Sequence, residues 1–200
     1  MLDHSVADSG RRAAGQGLDL STRAAAMREA LLGPMSEIFG VGRKVLSMVL
    51  ADLLLAADPS RERWVTTGAS VIAVDTLVHN FMHRTGILRQ FDADHPYGDR
   101  CYGANGCAEI IEQIAQGIDT RRFNPAYPAL FPRYVQHAIW SFCAGGGWNI
   151  CNGNRIDDSA ACGQRTCPAF ATCARIQLQA ENLEWNASID GQVMRQPRPN

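Results

Sequence analysis

The chain has 200 residues, of which 46% are hydrophobic and 20% charged, and its formal net charge is −1. That length suits one domain, or one domain with a small appendage, and the composition excludes a wholly disordered chain. Near-neutral charge excludes a strongly basic, histone-like binder but leaves room for a local cationic patch. The longest apolar stretch, 45–57, is too short to cross a bilayer and contains Asp52, and residues 1–16 hold no apolar signal-peptide core. The expectation is a soluble, cytoplasmic protein with no membrane partner.

In chain order, residues 1–20 read as a flexible tail. Ser21 or Thr22 is placed to cap a helix carrying Ala24, Met27, Leu31 and Leu32, which Gly33-Pro34 should interrupt. After a tight turn at Gly40-Val41-Gly42, a strong helix is predicted over 43–57, with Val45, Met48, Val49, Leu53 and Ala56 on a broad apolar face. Residues 58–68 read as a charged loop or short helix. Ala73-Val74-Asp75-Thr76 opens a helix running to Arg84, with Gly86 as its stop. An extended loop is expected over 89–107, then helices over 107–118 and 133–143. Residues 144–173 have little periodicity and must be held by something other than a packed core, and 176–200 form a tail. The fold class is all-α.

Three constellations carry chemistry. The first is Phe39-Gly40-Val41-Gly42-Arg43-Lys44, where glycines let a phosphate approach peptide N–H groups at the start of a helix. A plain glycine turn between two helices explains the same residues. The second is Asp75 at a helix start, 31 positions beyond Lys44. Taken alone, such an Asp is an N-cap. The third is Cys151-x10-Cys162-x4-Cys167-x5-Cys173. A reducing compartment directs clustered thiols to metal rather than to disulfides. With no C-x-x-C present, the spacing favours a 4Fe–4S cluster, with tetrahedral zinc as the alternative.

Taken in order, these stretches resemble the endonuclease III branch of the helix-hairpin-helix DNA glycosylases. The matching residues are Ile38 to Lys44, Val71 to Thr76 with His83-Arg84-Thr85-Gly86, and the terminal cysteine loop. The resemblance implies a partial glycosylase helical domain over 21–143 and a cluster loop over 144–175, with Cys151, Cys162, Cys167 and Cys173 holding a structural 4Fe–4S cluster. It places the lyase nucleophile on Lys44, assistance to base loss on Asp75, and backbone contacts to double-stranded damaged or abasic DNA on Gly40, Val41, Gly42 and Arg43. The implied activity is an N-glycosylase with β-elimination (AP lyase) activity in base-excision repair. The alternative is a non-catalytic DNA-binding module, or a truncated relic of such an enzyme. Lys44 is the only lysine among 19 cationic residues. Arginine neither deprotonates nor forms an imine, so a lone lysine at this position points to amine chemistry; the plain readings are a coding preference for arginine and a solvated or phosphate-contacting cation.

Other candidates are bland by comparison. His79 and His83 lie one helical turn apart and suit a metal pair, although surface or DNA-facing histidines are the expected reading. His95, Cys101 and Cys107 share a glycine-containing loop and suit a small zinc site, against a solvated insertion loop. Arg84, Arg121 and Arg122 are candidate phosphate contacts.

Overall fold

A computed structural model describes residues 20–58, 60–153 and 155–178, and it contains no strand among them. The tail predicted over 1–20, apart from Leu20, and the chain beyond Leu178 lie outside the described residues. Among the described residues seven α-helices follow in order: α1 Leu20–Met35, α2 Arg43–Leu55, α3 Glu62–Ser70, α4 Thr76–Arg84, the single turn α5 Ile87–Gln90, α6 Cys107–Gln116 and α7 Pro132–Cys143. Two 3-10 turns, Asp99–Tyr102 and Thr120–Arg122, sit in the connections. The all-α expectation holds. No described helix is long and apolar enough to cross a membrane.

Several boundaries move for physical reasons. Helix α1 starts at Leu20, so Ser21 and Thr22 fall inside its first turn instead of capping it. Pro34 does not interrupt α1, but the helix runs only one residue past it, as a missing i→i−4 bond requires. The Ser36 amide then closes the end by donating to the Leu32 carbonyl at 2.9 Å. The ambiguous stretch after Ser60 resolves into α3.

Two hydrophobic clusters organise the molecule. In the first, Met27, Leu31 and Leu32 of α1 pack on Leu46, Leu50, Ala51 and Leu54 of α2, with Val71 completing the layer. In the second, Val78 and Met82 of α4 meet Ile110, Ile111 and Ala115 of α6 and Val135 of α7. Residues 71–75 run between them without helical structure. Val71 belongs to the first cluster, Ile72 and Val74 to the second, and all three are buried. An apolar run that is extended and covered on both sides reaches Asp75, where α4 begins.

The region 144–178 is held by backbone bonds, as its lack of periodicity demands. Trp148 and Ile150 donate to the Ser141 and Phe142 carbonyls at 2.7 and 2.9 Å. Farther on, Ala174 and Ile176 donate to Thr85 and Arg84 at 3.1 and 2.9 Å, tying the cysteine loop to the end of α4.

Close approach between α2 and α3 depends on Gly68, where an added Cβ lies 2.9 Å from Leu54 Cβ and 3.2 Å from the Leu55 backbone nitrogen. Gly68→Val should therefore destabilise the protein by about 1–3 kcal/mol, the usual cost of overpacking a core. Denaturant unfolding measures this; an unchanged midpoint would mean that α2 and α3 do not pack this closely in solution.

Candidate functional site

The hairpin between α1 and α2 carries two exposed glycines. Gly40 has φ +82, a left-handed conformation that favours glycine. Gly42 is different: its φ of −71 is ordinary, and an added Cβ meets nothing within 4 Å. Neither conformation nor internal packing requires glycine there, so the open space is available to a close-approaching ligand. Gly42 also caps α2 without a side-chain acceptor; the Val45 amide turns back to the Gly42 carbonyl at 3.0 Å, and no side chain caps the amides ahead of it. Val41 is half-buried against the α1–α2 core. Lys44 is half-buried on that first turn. Arg43 is exposed but engaged, pairing with Glu29 at 2.8 Å and lying over the Tyr102 ring at 5.4 Å.

Asp75 caps α4, its Oδ1 accepting the Val78 amide at 2.9 Å, which leaves Oδ2 for another donor. Its neighbour Val74 is gripped from outside the helix. The Val74 amide donates to Tyr102 Oη at 2.9 Å, and the same hydroxyl donates to the Val74 carbonyl at 3.2 Å. Tyr102 therefore joins the residue beside Lys44 to the residue beside Asp75. Sequence reasoning missed it, since no local signal marks a tyrosine that bridges two distant turns.

A second constellation lies beside α4. Cys151, Cys162, Cys167 and Cys173 line one small cavity together with Arg84, Phe81 and Phe142. Arg84 is 3% exposed; its Nη2 pairs with Asp158, while Nε and Nη1 are buried with no hydrogen-bond partner. A buried guanidinium with orphaned donors is costly unless a negative group stands beside it. Arg84 is thus an internal group, and the expectation of a phosphate contact fails on burial. Burial pushes the Cys173 thiol up, and nearby Cys151, Cys162 and Cys167 add to that shift. Cys143, outside the predicted ligand set, is buried against Cys151. Its thiol donates to Cys151 and lowers that group, with the Arg84 charge assisting, while Cys143 itself is held high.

A third constellation is compact. His79 of α4, His95 of the following loop, Cys101 of the first 3-10 turn and Cys107 of α6 are all buried, with ligand atoms all within 4.8 Å of one another. His79 Nδ1 lies 3.6 Å from Cys101 Sγ and 3.4 Å from Cys107 Sγ, and His95 Nε2 lies 3.5 Å from Cys107 Sγ. The group can hold a metal ion. A hydrogen bond from Cys107, reinforced by His79, draws the Cys101 thiol down to about 4 despite burial, and Cys107 is correspondingly raised. The sequence trio His95, Cys101 and Cys107 is brought together as a set. Its fourth member is His79, whereas His83 faces Asp94 at 3.7 Å. The surface reading of His79 and His83 is corrected, because both are buried. Arg121, by contrast, is exposed and pairs with Asp119 at 2.7 Å.

Comparison of the chain with family models, with curated proteins and with solved structures finds no match.

Burial raises the Tyr102 phenol to about 12, with the Val74 bond opposing that shift. The unfolded phenol titrates near about 10. The unfolded chain therefore loses this proton first. Stability contributed by the neutral phenol is intact below about pH 10 and is lost as pH climbs towards 12. Tyr102→Phe should shrink that alkaline loss, as read by denaturant midpoints across the window. Identical pH profiles would mean that Tyr102 is not the shielded phenol.

Proposed function

We propose that the protein is a DNA base-excision enzyme, an N-glycosylase with β-elimination activity on damaged or abasic duplex. The observation that carries this reading is the pairing of an uncapped glycine hairpin bearing Lys44 with Asp75 at the start of α4, joined through Tyr102. The hairpin amides engage a phosphate, which places a duplex against the first turn of α2 without reading sequence. The target nucleotide leaves the stack before reaction. Asp75 stabilises positive charge developing on the sugar as the base departs. The Lys44 amine adds to C1′, giving an imine after loss of water from the ring-opened sugar. The 2′ proton then leaves, its electron pair forms the new double bond, and the 3′ phosphate departs.

The cysteine cavity supports a 4Fe–4S cluster as the resident group of this enzyme. Four thiolates around such a cluster form a net anion, which fits beside the buried Arg84 and its two orphaned donors. Cys151, Cys162, Cys167 and Cys173 would hold it. When bound it supplies cross-linking of a loop that lacks a core of its own, and hydrolysis does not involve it. Cys143 stands beside Cys151 as the thiol that orients it.

One observation favours the alternative, a module that grips DNA without reacting. Val45, Met48, Val49 and Leu53 on α2 are 43–53% exposed, so among the described residues no wall faces this side of the helix that carries Lys44.

Borohydride trapping separates the two readings. The chain should form a covalent adduct with an abasic duplex, and Lys44→Gln and Lys44→Arg should both abolish it while leaving DNA binding largely intact. With a single lysine, the only competing amine is the N-terminus, which peptide mapping resolves. An adduct that survives Lys44→Gln, or none from the wild type, sinks the catalytic reading.

Gly42→Ser tests the hairpin independently. Serine is a favourable cap with open space for its Cβ, so the melting temperature should hold or rise. Its hydroxyl occupies the amides a phosphate needs, so affinity for duplexes of any sequence should fall by similar factors. Unchanged affinity would move the DNA contact elsewhere. Protein purified anaerobically should be brown, and Cys167→Ser should lose the colour; a colourless preparation with zinc in the cavity would reassign that site.

A further inference from the structure

We infer that His79, His95, Cys101 and Cys107 form a closed, structural zinc site that clamps the 91–106 loop onto α4. The distances carry the assignment. A tetrahedral ion with Zn–S of about 2.3 Å and Zn–N of about 2.0–2.1 Å sets nitrogen and sulfur ligands about 3.6 Å apart. The three nitrogen–sulfur separations here are 3.4, 3.5 and 3.6 Å. His79 Nδ1 faces two sulfurs at once, and Cys107 Sγ faces two ring nitrogens, so one ion at their centre meets all three contacts together.

The surroundings fit the same ion. His95 Nδ1 lies 2.6 Å from the Ala93 carbonyl, so its proton sits there and Nε2 keeps a free lone pair towards the thiols. Two thiolates and two neutral imidazoles around Zn²⁺ sum to zero charge, which suits a site whose cysteines belong to the core with Val78, Ile110 and Ile111. All four ligands come from the chain and all are buried, leaving no open position for a substrate. Loop packing is equally tight: a Cβ at Gly106 would lie 2.2 Å from the Arg100 carbonyl oxygen.

The clamp reaches beyond itself. Cys101 is followed directly by Tyr102, which holds the Val74 backbone and lies beside Arg43. Zinc in this site thus fixes Tyr102 against the residues that neighbour Asp75 and Lys44. The ion itself stands independently of the repair reading, because its test measures metal and not catalysis.

Full-length protein is purified from medium containing zinc and iron, and its metals are counted. One zinc per chain is expected. Cys101→Ser with Cys107→Ser should lose it, and Cys167→Ser should retain it. Cobalt(II) replacing the zinc should give the strong visible bands of a tetrahedral thiolate site. His95→Cys keeps four soft donors, so it should still bind one ion and shift those bands, which distinguishes lost ligation from lost folding. Chelation should speed tryptic cleavage after Arg100, which is exposed in the clamped loop. Metal-free wild-type protein that is folded would overturn the inference. So would a Cys101–Cys107 disulfide seen by mass spectrometry, or zinc that departs with Cys167→Ser and stays with the Cys101/Cys107 pair removed.

Discussion

Everything in this molecule hangs on a short extended run, residues 71–74, buried between two helical cores. Its side chains divide between the two cores, so neither can shift without moving it. An extended strand-like segment without a sheet must satisfy its polar backbone by other means. Tyr102 does this for Val74 through both its amide and its carbonyl. The next residue, Asp75, then finds itself at a helix start whose position is fixed from two sides. Apolar burial sets the place, and a side-chain hydroxyl sets the register.

The helix that follows carries polar groups far into the interior. His79, His83 and Arg84 are all buried on or at the end of α4. Buried ionisable groups persist where partners compensate them. On one side are the thiols of Cys101 and Cys107; on the other is a cavity ringed by four further thiols, with Asp158 on Arg84. Helix α4 therefore stands between two sulfur-rich environments, and its N-terminus bears Asp75.

Helix positions were largely legible in the sequence because capping and breaking signals are local, but the packed face of α2 was not. Val45, Met48, Val49 and Leu53 are exposed, and Leu46, Leu50, Ala51 and Leu54 face the core, since an almost wholly apolar helix marks no single face. The start of α2 at Arg43, the cap at Asp75 and the span of α7 all follow from residues within one or two turns. Pro34 misled because a proline near a helix end costs less than one in the middle. The metal-competent group was half legible. His95, Cys101 and Cys107 share one loop and declare themselves by spacing, but their fourth partner sits sixteen residues earlier in α4. Helical spacing had paired His79 with His83 instead, since i,i+4 residues share a face. Only the return of the loop, pinned where Ala93 donates to the Leu88 carbonyl, reveals the true set. Arg84 was misread for the same reason: an arginine at a helix end looks solvated until a distant cysteine loop covers it.

The solitary lysine also makes one helix end chemically addressable. A lysine-specific protease has one internal peptide bond to cut in this chain, directly after Lys44, and cutting there separates α1 and the hairpin from the remainder. The two pieces share the cluster in which Met27, Leu31 and Leu32 meet Leu46, Leu50 and Leu54. Because the bond lies in the first turn of α2, it yields only when that turn frays. The appearance of that one pair of fragments therefore reads the opening of one helix end, with no other site to confuse it.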